Sequence, residues 1–347
     1  MTFRLQHPTP KRYTYLFAQI FMSSFLLLTA RMIYFQHSYY QAFLTYEAKV
    51  VLSAIIWAVL IGIYLDTLRV FLFAKEVGST KLTLLFALWL KIFYNVGQFL
   101  RGSGDYVKIE IDKNTKVAIL AMAVKFFYIP LMINFLVGNF GSLQGNVAAI
   151  TQSQITFDTV YNLLVTAIFT IDTMIFTFGY VVESPFLGSK IKSVEPTVLG
   201  WVSALATYPP FNSLSSTIFV MVSGSPTFIG QNIVAYQIVR ILILVCDFIF
   251  VACSVSLGTR ASNLTNRGIV KRGPYSVVRH PAYTVKLLSW FLEGVILAPN
   301  LAYFLGWAGF AFIYFMRAVT EERHLSQDPD YVTYKKQVRY RFVPGLA

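Results

Sequence analysis

Charge is what this chain has least of. Only 13% of its 347 residues are Asp, Glu, Lys or Arg, about half the share usual in a soluble domain, while 56% are hydrophobic. That excludes an ordinary soluble globular domain. Several apolar runs approach or exceed the roughly 20 residues needed to cross a bilayer, so the expectation is an all-α, polytopic integral membrane protein. Negative charge is the scarcer sign, with 16 Asp and Glu against 29 Lys and Arg and a net charge of +13. In a soluble protein such an excess would suggest nucleic acid. Here the basic residues lie mostly between apolar runs, which fits positive-inside topology and anionic lipid headgroups, and no nucleic-acid partner is expected. There are two cysteines, Cys246 and Cys253, seven apart in one apolar segment. They share a helix face but stand too far apart along the axis to bridge or to hold a metal together. His7, His37 and His324 show no metal-ligand spacing, so no metal site is expected. No small-residue cleavage site closes the first apolar run, which is too long for a cleaved signal peptide.

Taken in order, apolar spans are expected at about 13–35, 51–73, 117–137, 159–182 and 233–257. Residues 198–222 contain Tyr208-Pro209-Pro210, and proline removes a backbone donor, so a broken or re-entrant span is expected there. Residues 81–100 hold Lys91 and Asn95 and lead into Arg101, Lys108, Lys113 and Lys116, which predicts an interfacial or re-entrant helix. The loops 138–158 and 223–232 have no Lys or Arg, as outer loops do. After Tyr283, residues 284–298 and 301–319 hinge at Pro299-Asn300, a helical hairpin whose second arm runs into Glu321-Glu322. The sum is about eight spans, multi-pass, with both termini cytoplasmic. The chain divides into two regions: 1–230, a transmembrane region of unassigned role, and 231–347, a membrane core with a cytoplasmic tail.

The polar, basic island at 268–283 is the centre of this arrangement. Gly273-Pro274 makes a turn, Tyr275 and Tyr283 flank Arg279-His280, and Pro281 ends the segment before it. The hairpin brings the island and Glu321-Glu322 to the same membrane face. A pocket between them would hold cations, carboxylates, an imidazole and aromatic walls, a mixture that suits a zwitterionic ligand with a cationic centre. A plainer reading stands beside it: an Arg-His pair anchoring headgroups and a solvated Glu-Glu pair at a helix end.

Gly273-Pro274-Tyr275, Arg279-His280-Pro281-Ala282-Tyr283, Glu321-Glu322-Arg323-His324-Leu325, then Tyr331 and Tyr334 before a basic tail, form an ordered set. In order and spacing it resembles the C-terminal core of isoprenylcysteine carboxyl methyltransferases, to which phospholipid methyltransferases and membrane sterol reductases are related. The resemblance covers about residues 240–347. It implies an S-adenosylmethionine-dependent methyltransferase with a cytoplasmic cofactor pocket that opens sideways to a lipid or lipidated acceptor, by family default the carboxylate of a prenylated cysteine. It implies that Gly273, Tyr275, His280, Pro281, Tyr283, Glu321 and Glu322 hold the cofactor, and that Arg279, Glu322 and Arg339 serve catalysis.

The tail departs from the family pattern. Members usually end the core with Arg-Val-Pro, whereas here Gln337-Val338-Arg339 is followed by Arg341-Phe342-Val343-Pro344. Either Arg339 or Arg341 takes over the anionic contact, or the contact is lost. Charges inside apolar spans are functional candidates by default. Glu293, with Trp290 and Arg341, is a candidate for the acceptor side, and Arg240 and Asp247, on one helix face, are expected to pair structurally. Two other function classes stand beside this one: an NADPH-dependent reductase of the sterol type, which the resemblance to related cores implies, and a transporter or scaffold that keeps a degenerate core, which the broken span at Tyr208-Pro209-Pro210 and the charges in apolar spans would suit.

Overall fold

The computed structural model describes residues 10–74, 76–152, 155–213, 215 and 232–346. Its contacts divide it into two compact units, Met1–Asn134 and Phe135–Ala347. This division follows packing, whereas the boundary at 230/231 expected from sequence follows the distribution of motifs. Among the described residues seven helices are long and apolar enough to cross a membrane, and the chain is an all-α polytopic membrane protein.

The first unit contains α1 (Pro10–Gln36), α2 (Ser38–Phe43), α3 (Tyr46–Phe73), α4 (Lys81–Leu100) and the start of α5 (Lys113–Gln152). Threonine caps set two of the starts: the Thr45 and Thr80 hydroxyls accept the N–H groups of Ala48 and Thr83, each at 3.2 Å. One buried cluster joins Ala18, Met22, Leu85, Phe86 and Ala118, with Phe21 and Trp89 packed against it. Phe17, Trp57, Leu65 and Phe99 face outward, as expected where lipid rather than water is the solvent. The buried Arg12 donates to the carbonyls of Phe71 and Ala74 at the end of α3, groups that a helix leaves unsatisfied.

The segment 81–100, expected as an interfacial or re-entrant helix, is one unbroken 20-residue helix, α4, long and apolar enough to cross a membrane. Asn95, a polar residue in this apolar segment, exchanges two 2.8 Å hydrogen bonds with the backbone of Val107. The expected outer loop at 138–158 is helical as far as Gln152, because α5 runs for 40 residues, about 60 Å at 1.5 Å per residue. Its asparagines are interhelical fasteners rather than loop formers. Asn139 donates to the Phe169 carbonyl at 3.2 Å, and Asn146 to the Thr166 hydroxyl at 3.2 Å.

In the second unit α6 (Phe157–Val181) leads to β1 (Ser193–Val194), α7 (Val198–Leu205), α8 (Ile233–Leu257) and β2 (Thr265–Asn266). The two short strands pair antiparallel, Ser193 opposite Asn266. Tyr161 on α6 packs against Val239 and Ile243 on α8. Next come α9 (Pro281–Phe291), a π turn at Leu292–Ile296, α10 (Leu301–Leu325) and α11 (Pro329–Gln337). α9 and α10 form the expected hairpin: the Trp307 indole donates to the Leu287 carbonyl at 2.8 Å, and Trp290 meets Phe310 edge-on at 5.7 Å. The first arm, from α9 through the π turn, spans about 24 Å, short of the roughly 30 Å hydrocarbon core.

Among the described residues seven spans thus stand against about eight expected for the whole chain. α4 enters the count, while the first arm of the hairpin and 198–222 do not. α7 ends before Tyr208. The remainder of that expected span after Ser215, with the loop 223–231, lies outside the described residues. α11, in a tail read as merely polar, is capped by Asp328, whose side chain accepts the Asp330 N–H at 3.0 Å.

Candidate functional site

The site is built from a turn, a helix start, a helix end and the tail. Gly273 begins the turn with φ +61°, and a Cβ there would lie 2.3 Å from the Ser256 hydroxyl, so the position requires glycine. The turn Gly273–Ser276 presents the Tyr275 carbonyl to the Tyr334 hydroxyl at 2.7 Å, which fastens the turn to α11. Pro281 then opens α9 at the first helical position, where its missing N–H has no role.

Arg279 and His280 are held by the tail. Their backbone N–H groups donate to the carbonyls of Tyr340 and Arg341, at 3.0 and 2.9 Å. The Arg279 guanidinium donates to the carbonyls of Val338 (2.9 Å) and Arg339 (2.5 Å) and to Glu322 Oε1 (2.8 Å). His280 Nε2 lies 3.2 Å from the same oxygen. Arg341 closes the set with Nε 3.1 Å from Oε1 and Nη2 3.0 Å from Oε2, a two-pronged grip on the carboxylate. Lys335 Nζ adds a contact at 3.6 Å. Glu322, 3% exposed, is therefore the hub of a network of cations. Hydrogen bonding to this carboxylate holds the Arg341 guanidinium above its ordinary pKa.

Glu321 looks elsewhere. Consecutive helical residues are about 100° apart, so while Glu322 turns to the arginines, Glu321 faces a narrow cleft. Its Oε2 accepts the Tyr283 hydroxyl at 2.7 Å. The Tyr283 ring stacks on His280 at 5.2 Å and meets Tyr314 edge-on at 5.2 Å. The Arg317 guanidinium lies 5.1 Å over the Tyr283 ring and donates to Thr207 and Asn263. Glu195, Gly200 and Asn263 line the cleft from the segments before and within α7 and after α8.

The structure therefore brings Arg279, His280, Glu322 and Arg341 into one network, and Tyr283 and Glu321 into an adjoining cleft. Of the two tail arginines, Arg341 meets Glu322, whereas Arg339 lends its carbonyl to Arg279 and exposes its side chain. Trp290 and Glu293 lie two to three turns further along. Trp290 packs edge-on against Phe310 and Tyr314, with the Lys286 ammonium 5.2 Å from its ring. Glu293, 46% exposed at its side chain, pairs with Arg240 at 3.7 Å. The expected Arg240–Asp247 pair does not form, because Asp247 takes Ser289 as its partner at 3.4 Å while two tyrosine rings, Tyr161 and Tyr236, hold Arg240. Sequence reasoning missed Arg317 and Glu195. Arg317 stands one helical turn before Glu321 and carries a charge in an apolar segment, a signal that could have found it. Glu195 carries no such signal.

No curated protein and no solved structure matches the chain. Residues 237–327, which span α8, α9 and α10 and include Arg279, His280, Tyr283, Glu321 and Glu322, match the sequence model of the isoprenylcysteine carboxyl methyltransferase (ICMT) family.

Proposed function

We propose that the protein is a membrane methyltransferase that takes its methyl group from S-adenosylmethionine and passes it to a lipid or lipidated acceptor. One observation carries this reading: within the family-matched region, His280, Tyr283, Glu321 and Glu322 converge on a single polar cleft and its supporting network. The cleft suits a zwitterionic ligand, since it is lined by the acidic Glu321 and the basic Arg317, with Tyr283 beside them. S-adenosylmethionine, when bound, supplies an electrophilic methyl group on a sulfonium.

The work of this chain's residues is alignment and exclusion of water, since displacement on carbon requires an in-line approach. Tyr283 and Glu321 contact the ligand in this reading. Arg279, Glu322 and Arg341 are positioning residues, because their polar atoms are spent on one another and on the tail. A carboxylate acceptor needs no base, being a nucleophile at neutral pH. In this reading the acceptor reaches the cleft along the α9–α10 hairpin, past Trp290, and the positive-inside distribution of Lys and Arg supports a cytoplasmic cleft.

Calorimetric titration with S-adenosylhomocysteine tests the cofactor. Wild type should bind saturably, Glu321→Gln and His280→Ala should bind at least about tenfold more weakly, and NADPH should give no heat. Saturable NADPH binding without S-adenosylhomocysteine binding would replace this reading with a reductase.

A further inference from the structure

Glu195 lies outside residues 237–327 and outside the motifs, yet it is one of the residues that line the cleft and is buried, with 2% exposure. The chain fixes it in place. Its Oε1 accepts the N–H and hydroxyl of Thr197, at 3.0 and 2.5 Å, and Arg323 Nη2 at 3.1 Å. Its carbonyl accepts the Trp201 indole N–H at 2.8 Å. Gly200 leaves the room it needs: a Cβ there would lie 2.3 Å from Glu195 Cγ and 2.8 Å from Oε1. The other oxygen, Oε2, is buried and accepts no hydrogen bond from the described residues. His324 Nδ1, at 3.9 Å, is beyond hydrogen-bond reach.

A buried carboxylate oxygen without a donor is costly, and native structures rarely leave one so. Here the surrounding contacts hold it rigidly in that state, at the edge of a cleft. That is the arrangement of a site whose donor arrives with a ligand. Glu321 and Arg317 line the same cleft, so two acidic residues and an arginine border one space. Such a set matches an amino-acid group, with its ammonium toward the carboxylates and its carboxylate toward the arginine. A charged donor also satisfies a carboxylate about twice as strongly as a neutral hydroxyl does.

We propose that Glu195 receives the ammonium of the amino-acid end of the ligand, so that a segment outside the family-matched region completes the cofactor site. This rests on reading the cleft as the S-adenosylmethionine site. The two fail differently under titration of the full chain in detergent with S-adenosylhomocysteine and with methylthioadenosine, which lacks the amino-acid end. Glu195→Gln should weaken S-adenosylhomocysteine about tenfold or more and leave methylthioadenosine unchanged. Its melting temperature without ligand should stay close to that of wild type, since glutamine keeps an oxygen for the Thr197 and Arg323 contacts. Gly200→Ala, which displaces the carboxylate without changing charge, should reproduce the selective loss. Unchanged S-adenosylhomocysteine binding in both variants, or equal loss of both probes, overturns the assignment of Glu195 alone. Absence of S-adenosylhomocysteine binding by the wild type overturns the cofactor reading and this inference with it.

Discussion

Two neighbouring residues show how one helix end serves two purposes. Glu322 faces a closed network and Glu321 faces the cleft, although in sequence they are the same amino acid repeated. The tail arginines divide in the same way. Arg341 grips Glu322 at two points, while Arg339 gives its carbonyl. Replacing Arg341 by alanine should therefore cost about 1.5–3 kcal/mol of stability, the range for hydrogen bonds to a charged group. Replacing the exposed Arg339 should stay within about 0.5 kcal/mol. Unfolding in detergent reads both, and equal costs would contradict the geometry. The order of motifs made Arg279, His280 and Glu322 legible as a group. Which tail arginine joins them depends on how residues 338–342 run beside the start of α9, a long-range matter that spacing does not encode.

At the scale of elements, a small polar joint links β1, β2 and the start of α11. Asp328 Oδ2 accepts Asn266 Nδ2 at 2.9 Å and Lys192 Nζ at 3.2 Å. Burial pushes this carboxyl up, but the hydrogen bonds from Asn266, the Asp330 N–H and Lys192 outweigh it and hold the pKa below its ordinary value. A depressed folded-state pKa contributes stability above the unfolded value, about 3.9, and that contribution is lost as pH falls through the folded value. Wild type should therefore melt higher than Asp328→Asn at pH 6, and the gap should close as pH falls below about 4. A gap independent of pH would show that the joint rests on shape alone. None of this joint is legible in the sequence. Its strands are two residues each, too short for an alternating pattern, and α11 carries few apolar residues to reveal a period. The reverse error occurs in α5, where Gly138, Asn139, Gly141 and Asn146 read as a loop. Two of these residues bond across to α6, and a tertiary contact overrides local propensity.

For the whole molecule, the fold class was legible because hydropathy reports the solvent directly: the seven long apolar helices among the described residues need no motif to be recognised. The hairpin of α9 and α10 was legible from Pro299-Asn300 and from the motifs at its two ends. Glu195 was not, since a lone glutamate before a short helix has no period and no partner in sequence, and only folding sets it beside Glu321. The central claim is that this assembled cleft moves a methyl group. Its most direct measurement is transfer of labelled methyl from S-adenosylmethionine by the purified protein in lipid, with a prenylated cysteine and total membrane lipid offered as acceptors. The account predicts label in the lipid-soluble fraction from wild type and a loss of at least about tenfold in Glu321→Gln. No transfer to either acceptor by folded wild type, or undiminished transfer by the variant, would contradict it.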